Sequence, residues 1–235
     1  MKMMFKLLCI LPLLTNSFAA ELKIFTEDSA PFQYKENDKI KGMASDIVVE
    51  LMKRADVKYT HEMAPWSRAF NTAKENVNNC VYSTTETEER MPHFKWIGPL
   101  VSNDWVIMVR NDSDIKATDL SQIKGKPIGG YIGDALAEYL KSNGHTVDEA
   151  ANDTQNAKKL SFGRIDIWAT SSAVGPYLAK MNNITNLKEL FTIKKTVMSI
   201  ACHKDTDGAT VKKLQDTLKK MIDDGTVEKI KSNYK

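Results

Sequence analysis

Hydrophobic residues along the chain follow two periods, which predict alternating strands and helices. Short apolar runs such as 22–26 are typical of buried strands, whereas apolar residues in 47–55 recur every three or four positions, as on one helix face. We expect that helix to begin at Ser45 or Asp46, because either side chain can cap its first turn. The first half is therefore predicted to contain strands 22–26, 59–64 and 80–84 and a second helix 67–74.

This order of elements predicts an open α/β sheet. Strands that alternate with helices are usually parallel, because each helix carries the chain back across the sheet. The alternation begins again near Trp105, so we predict two sheets and two lobes, with the cleft between them as the ligand site. The predicted strands of the second half are 105–109, 127–131, 165–169, 190–194 and 198–203, and the predicted helices are 135–143, 156–160, 172–181, 211–222 and a last one from Thr226.

The first residues have the layout of a secretory signal peptide. Lys2 and Lys6 supply a positively charged start before the apolar run 7–14, and Ser17-Phe18-Ala19 forms a small-x-small cleavage site. The apolar run is too short to cross a bilayer, which needs roughly 20 apolar residues. We therefore predict a signal peptide at residues 1–19, cleavage near Ala19, and a mature protein that is free in the periplasm and does not span the membrane.

Composition and charge exclude some classes of partner. The 235-residue chain has a formal charge of +3, and loss of the signal peptide removes two lysines and no acid, which leaves about +1. A near-neutral chain with interspersed charges offers no clustered basic face for nucleic acid. We also expect no metal and no cofactor, because the histidines have no paired spacing and no cysteine pattern beside them. They are His61, His93, His145 and His203.

The mature chain has two cysteines, Cys80 and Cys202. In an oxidising compartment they can form a disulfide, which over so long a loop would contribute roughly 3–5 kcal/mol. Two buried thiols that act as small apolar side chains are the alternative. Sequence spacing alone does not choose between the two.

A series of short motifs covers nearly the whole mature chain and resembles one protein family. In this order, the motifs resemble the family 3 extracellular solute-binding proteins, the periplasmic components of polar amino-acid uptake systems. The motifs are Ala30-Pro31-Phe32-Gln33-Tyr34 followed by Gly42, Thr85-x-Thr87-x-x-Arg90 with Trp96, Leu120 through Gly125, Gly133, Gly163-Arg164-Ile165-Asp166, and Gly225-Thr226-Val227-x-x-Ile230.

The resemblance implies a specific architecture. It implies an α/β fold of the two-lobed type II periplasmic binding protein (Venus flytrap) type, with two open, mostly parallel sheets joined by a two-strand hinge. The first lobe would be discontinuous, with residues 20–102 plus 198–235, and the second lobe would be 103–197. The resemblance also places the strands of Cys80 and Cys202 side by side, which favours the disulfide.

Arg90 is the first candidate for contact with a ligand. A guanidinium group is a planar fork of donors that matches a carboxylate with two charge-assisted hydrogen bonds. In the family that the motifs resemble, the arginine of this motif binds the ligand α-carboxylate and the first threonine, here Thr85, adds a hydrogen bond. From composition alone, Arg90 would instead balance the neighbouring charges of residues 86–89.

Two positions of the second lobe are candidates for contact with the ligand's charged groups. Gly133 and Asp134 open a helix whose N–H groups can bind an anion, although Asp134 is also an ordinary N-cap. Family members that bind amino acids commonly carry an acid for the ligand ammonium where this chain has Ser171. Asp134, Glu27 or Asp28 would have to replace that acid, or the ligand lacks an amine.

The run Pro65-Trp66-Ser67-Arg68-Ala69 resembles a pattern in a less characterised branch of the family. By resemblance, Trp66 would form an aromatic wall of the pocket and Arg68 a second anion contact. The alternative is a tryptophan in the lobe core and a solvated arginine. The resemblance also places three further residues in the pocket, namely Ser29, Ser83 and Tyr131.

The function that follows is capture of a small carboxylate-bearing metabolite, an amino acid or related organic acid, in the interlobe cleft for ABC-type import. We expect a monomer without catalytic activity that delivers its ligand to an inner-membrane ABC permease. Two alternatives stay open on the same fold. One is a ligand sensor that docks onto a membrane receptor, and the other is an enzyme similar to the cyclohexadienyl dehydratases.

Overall fold

The computed structural model describes residues 21–234, which form alternating strands and helices. The strands are β1 (Leu22–Thr26), β2 (Tyr34–Glu36), β3 (Lys39–Lys41), β4 (Tyr59–Met63), β5 (Asn79–Thr85), β6 (Phe94–Ser102), β7 (Trp105–Arg110), β8 (Ile128–Tyr131), β9 (Val147–Ala150), β10 (Ile167–Ser171), β11 (Leu187–Lys194) and β12 (Val197–His203). The helices are α1 (Met43–Ala55), α2 (Trp66–Glu75), α3 (Ala135–Ser142), α4 (Asp153–Ser161), α5 (Val174–Met181), α6 (Gly208–Asp223) and α7 (Thr226–Ser232).

The strands form two five-stranded sheets, which confirms the predicted α/β class. The first sheet has the order β4-β1-β5-β12-β6, and the second has the order β11-β7-β10-β8-β9. In the first, β1 pairs in parallel with β4 and β5, while β12 is antiparallel to its neighbours. In the second, β8 pairs in parallel with β9 and β10, while β7 is antiparallel to its neighbours. Each sheet is therefore parallel over three of its strands.

Helices cover both faces of each sheet, because apolar residues point alternately to the two sides of a strand. In β5, Cys80 and Tyr82 pack towards α1 and α6, whereas Val81 packs towards α2. In β7, Ile107 packs towards α3 and Met108 towards α4. Each sheet thus has its own core, as two separate lobes require.

Two antiparallel segments connect the sheets. The first runs from β6 to β7 through Asn103, and the second runs from β11 to β12 through Thr196. The Asn103 N–H donates to the Thr196 carbonyl at 2.8 Å, and the Thr196 hydroxyl donates back to the Asn103 carbonyl. These crossings form the predicted two-strand hinge. The lobe bounds 20–102 plus 198–235 and 103–197 stay a prediction.

Several elements differ from the sequence prediction. Helix α1 begins at Met43 rather than at Ser45 or Asp46, and the Ser45 hydroxyl instead lies in the core, 2.5 Å from the Tyr82 hydroxyl. Strand β6 was not predicted, because Gly98-Pro99 interrupts its apolar run and proline cannot donate to a ladder. Strand β9 was not predicted either, since its sequence carries two acids and little apolar character.

Gly42 positions the start of α1 against the loop that borders the cleft. Its φ is 118°, and a Cβ atom there would lie 2.5 Å from the Phe32 carbonyl oxygen. We expect Gly42→Ala to lower the free energy of unfolding by about 2 kcal/mol or more, because the substitution adds backbone strain and a backbone clash. Urea unfolding measures this. Gly208→Ala is the control, because nothing lies within 4 Å of its Cβ position; an equal effect of the two substitutions would contradict the prediction.

The structure joins Cys80 and Cys202 by a disulfide, with an S–S distance of 2.04 Å. The two residues are register partners on the adjacent antiparallel strands β5 and β12. The bond therefore links an early strand of the first sheet to the strand that returns after the second sheet. In residues 21–234, no helix is long and apolar enough to cross a membrane. The predicted signal peptide, with its cleavage near Ala19, lies outside the described residues.

Candidate functional site

A cleft lies between the two sheets and consists of two adjoining spaces. The inner chamber has a volume of about 40 Å³ and lies against the ends of β5, β8 and β10. The outer chamber has a volume of about 650 Å³ and lies between the start of α2 and helix α5. Eight of the predicted site residues line the inner chamber, namely Ser29, Trp66, Ser83, Thr85, Arg90, Tyr131, Asp134 and Ser171.

The Arg90 side chain points into the cleft and is only 5 % exposed. Its Nη2 donates to the Gly133 carbonyl and to Glu138 Oε2, both at 3.0 Å, so it crosses from the first sheet's side to the second. The guanidinium carbon lies 4.9 Å from the Phe70 ring centre. Both of these hydrogen bonds use Nη2, whereas Nε and Nη1 donate to none of the residues that the structure describes. The N–H groups of Nε and Nη1 are therefore available to a ligand carboxylate.

Trp66 forms a second contact across the cleft. It begins α2, is almost fully buried, and its Nε1 donates to the Gly133 carbonyl at 2.8 Å. The ring centre lies 5.5 Å from the Arg90 guanidinium carbon. A cation over an indole face is an attractive contact, so the tryptophan orients the arginine as well as lining both chambers.

Two polar groups with unused hydrogen-bonding capacity face the inner chamber. Thr85 is 5 % exposed, accepts a 3.4 Å hydrogen bond from Asn103 Nδ2, and donates to no described residue. Asn103 Oδ1 is buried and accepts from no described residue. Buried polar groups normally have hydrogen-bond partners. A ligand could supply the two missing partners, namely an acceptor for the Thr85 hydroxyl and a donor for Asn103 Oδ1.

Ser83 reaches the cleft because β5 is irregular there. Its φ is 57°, a left-handed value that favours glycine, and the pairing of β5 with β12 shifts register at this point. The hydroxyl donates to Gln33 Oε1 at 2.6 Å. Irregularities of this kind commonly redirect a side chain beside a functional site. Here the result is a fixed Ser83–Gln33 pair in the chamber wall.

Three carboxyl groups share the inner chamber. Burial, followed by the nearby Asp134 carboxyl, raises the pKa of Glu27 to about 8, while the hydrogen bond donated by the Tyr131 hydroxyl at 3.1 Å lowers it. Burial and then Asp153 raise the pKa of Asp134 to about 7, and Arg90 opposes this. Burial raises the pKa of Asp153 to about 6. The acids therefore disfavour each other's ionised forms.

This arrangement gives the ligand-free protein a specific pH dependence. Because the folded-state pKa of Glu27 lies above its value of 4.5 in an unfolded chain, Glu27 lowers stability as the pH rises from about 4.5 to about 8. We expect Glu27→Gln to stabilise the ligand-free protein at pH 8 relative to wild type and to have a smaller effect at pH 5. Thermal unfolding at the two pH values measures this. The exposed Glu89→Gln is the control, and equal shifts at both pH values would contradict the prediction.

Three predicted residues on the second sheet's side contribute to the site in different ways. Gly133 contributes its carbonyl, which accepts from Trp66 and Arg90, rather than its N–H. Asp134 occupies the N-cap position of α3, where the backbone N–H groups of Leu136 and Ala137 act to lower the pKa of its carboxyl and so offset part of the effect of burial. Ser171 is buried, and its hydroxyl accepts from the Ala173 N–H at 3.2 Å.

Arg68 lies outside both chambers in this structure, and its role as a second anion contact stays a prediction. Its side chain is 64 % exposed, lies 3.8 Å from Glu62, and lines neither chamber. The reason is helical geometry. Trp66 opens α2 and faces the cleft, so a residue two positions later faces away from it.

Sequence reasoning missed three residues of the site: Asn103, Glu138 and Asp153. Asn103 sits in the hinge, where no regular pattern marks it. Glu138 appears in the sequence as an exposed helical acid, yet it pairs with Arg90. Asp153 follows the N-cap Asn152 of α4, so its sequence context is that of an ordinary helix start. Among residues 21–234, no group of histidine, cysteine or acidic side chains could hold a metal ion.

Two lobes, a two-strand hinge and a polar interlobe cleft define the class of periplasmic binding proteins. The family model of the bacterial extracellular solute-binding proteins, family 3, matches residues 22–235. This chain therefore belongs to that family, and the predicted resemblance is confirmed.

Similar proteins bind amino acids or carry sensor functions. The chain is 24% identical to "Probable amino-acid-binding protein YxeM" of Bacillus subtilis (strain 168), over 89% of this chain and 81% of that protein. "An ancestral arginine-binding protein bound to arginine" is 24% identical with a TM-score of 0.80, over 91% of this chain and 97% of that one. A histidine kinase sensor domain with similarity to periplasmic binding proteins is 18% identical with a TM-score of 0.85, over 91% and 95%.

Proposed function

We propose that the protein captures an amino acid or a related organic acid in the cleft, in the periplasm, and delivers it to an inner-membrane ABC-type permease. The observation that carries this proposal is the buried Arg90 guanidinium, which lies inside the cleft with part of its donor fork free. Such a group costs free energy to bury and binds a carboxylate well. Similarity to a probable amino-acid-binding protein and to an arginine-binding protein supports an amino acid as the class of ligand.

The carboxylate would bind between the two lobes. Arg90 and Thr85 lie on the first sheet's side, and Trp66 covers the guanidinium from above the inner chamber. The chamber of about 40 Å³ has little room beyond a water molecule or two. Ligand entry therefore requires the lobes to move apart about the Asn103 and Thr196 segments. The ligand would stabilise the closed form by its contacts to both lobes.

Thermal-shift screening and calorimetry of the mature protein test this function. The panel contains the twenty common L-amino acids and, for the best ligands, the amines that lack the carboxylate, such as agmatine for L-arginine. We expect stabilisation by at least one amino acid and loss of binding for its decarboxylated counterpart. A folded protein that none of the amino acids or small organic acids stabilises would contradict the proposal.

A sensor function is the second candidate, and one observation favours it. The similar histidine kinase sensor domain matches this chain over 91% of its length with a TM-score of 0.85. A sensor and a transport component would bind the ligand in the same way and differ in the partner of the closed form. Uptake of a radiolabelled ligand by cells with and without the protein separates the two functions.

Absence of catalysis stays a prediction. An elimination of the dehydratase type needs a protonated acid in the cleft, and the raised pKa of Asp134 provides a candidate. Turnover of prephenate or arogenate by the purified protein, lost in Asp134→Asn, would contradict a pure binding function.

A further inference from the structure

We infer that the ligand is an amino acid with a cationic side chain, and that Asp153, rather than the residue at position 171, balances positive charge on it. This inference rests on the proposed function, because it adds the charge of the ligand to a cleft that already binds its carboxylate. It follows from the charges that line the two chambers, the orientation of Asp153, and the shape of the outer chamber.

The cleft is lined by more acidic than basic side chains. Around the inner chamber, the acids Glu27, Asp134 and Asp153 face one basic side chain, Arg90, which Glu138 already neutralises. Around the outer chamber, Glu27, Asp28 and Asp153 are joined by no described lysine, arginine or histidine. Partly buried carboxylates without a cation repel one another. A ligand with two positive groups and one carboxylate would offset this repulsion, whereas a neutral amino acid would leave most of it.

Asp153 is held in place in the chamber that Ser171 also lines. It is the first residue of α4, and its Oδ1 accepts from Trp168 Nε1 at 2.9 Å. Its Oδ2 accepts from the Thr170 hydroxyl at 2.8 Å. Thr170 immediately precedes Ser171 on β10, and both line the inner chamber. Asp153 and Ser171 thus line the same chamber, and three donors fix the Asp153 carboxylate, because Asn156 Nδ2 also donates to its Oδ1 at 3.5 Å.

A second observation points to a ligand amine in the inner chamber. Asn103 Oδ1 is buried there and accepts no hydrogen bond within the described residues. An ammonium group has three donors to distribute. One N–H of the ligand ammonium could donate to Asn103 Oδ1 and another to an acid of the chamber. The ligand carboxylate could then accept a hydrogen bond from the Thr85 hydroxyl.

The outer chamber provides space for a long side chain with a charged end. Its apolar wall is formed by Met63 and Pro65 on one side and by Val174, Leu178 and Met181 on the other. Methylene groups pack well against such a wall, as the stems of lysine and arginine do elsewhere. Glu27 and Asp153 line both chambers, so a side chain that extends from the inner to the outer chamber has these two acids along its way.

Matched ligand pairs test this inference on the mature protein by calorimetry at pH 8. L-arginine is compared with L-citrulline, which has the same shape and no side-chain charge, and L-lysine with L-norleucine. We expect each cationic ligand to bind about 30-fold more tightly or better than its neutral partner, the effect of a charge-assisted contact. Neutral ligands that bind as tightly as cationic ones would overturn the inference and leave the proposed function intact. Binding of a small organic acid without binding of any amino acid would also overturn the inference. Failure of every amino acid and every small organic acid to bind would instead overturn the proposed function.

Charge-neutral variants assign the residue. Asp153→Asn keeps the size of the side chain and is expected to reduce the arginine-to-citrulline preference at least about tenfold. Asp166→Asn is the control, because Asp166 is exposed on the same lobe and lines neither chamber. Glu27→Gln is the second test should Asp153→Asn fail to fold, and it should also reduce the preference. An unchanged preference in whichever of the two variants folds would overturn the role of these acids.

Discussion

Replacement of Arg90 by alanine is expected to abolish most ligand binding. The substitution removes the guanidinium that we propose binds the carboxylate, and it leaves Glu138 without its cationic partner. Loss of one partner of a buried charge pair typically costs about 2–5 kcal/mol, so the Kd should rise by about 30-fold to several thousandfold. Calorimetry with the tightest amino acid of the panel measures this.

Arg68→Ala is the matched control for this substitution. Arg68 lies on the neighbouring helix α2, is largely exposed, and lines neither chamber. The Kd of the Arg68→Ala variant should match that of the wild type within about twofold, because loss of a typical surface ion pair has little effect. Circular dichroism establishes that the Arg90 variant is folded. An unchanged Kd in the folded Arg90→Ala protein would show that the carboxylate binds elsewhere.

Removal of the disulfide is expected to have the largest effect on stability. The bond between Cys80 and Cys202 spans 122 residues of sequence, which include the whole second sheet. The restriction of the unfolded chain by a loop of this length corresponds to about 3–5 kcal/mol. We expect the double variant with alanine at both positions to lose that much free energy of unfolding, measured by urea denaturation.

The reducing agent dithiothreitol provides the control for the disulfide. It should lower the unfolding midpoint of the wild type and leave the midpoint of the double alanine variant unchanged. A wild-type midpoint that is the same in oxidising and reducing buffer, with complete reduction established by thiol titration, would contradict the prediction.

Much of the fold could be predicted because it depends on local patterns. The bounds of β1 agree with the predicted strand, because a short buried apolar run at the start of an α/β unit has few alternative structures. Start positions are less certain from sequence. Met43 begins α1 because Gly42 adopts a left-handed conformation against Phe32, and that contact is not local in sequence.

The candidate site was only partly visible in the sequence, for a related reason. Arg90 and Thr85 stand in a motif with fixed spacing, so a single segment of chain identified them. Asp153 depends on Trp168 and Thr170, which lie on a different strand, and only the fold brings these groups together. Arg68 stands in a recognisable motif too, yet the turn of α2 directs it to solvent. Motifs indicate which residue types are present, whereas the fold decides which side chains meet.

A crystal structure of the mature protein with the tightest amino acid of the panel would show where the ligand carboxylate binds. We predict ligand density between the two sheets, with a carboxylate oxygen within about 3.2 Å of an Arg90 nitrogen and of the Thr85 hydroxyl. A ligand bound on the outer surface of either lobe, or in the cleft with its carboxylate away from Arg90, would contradict it.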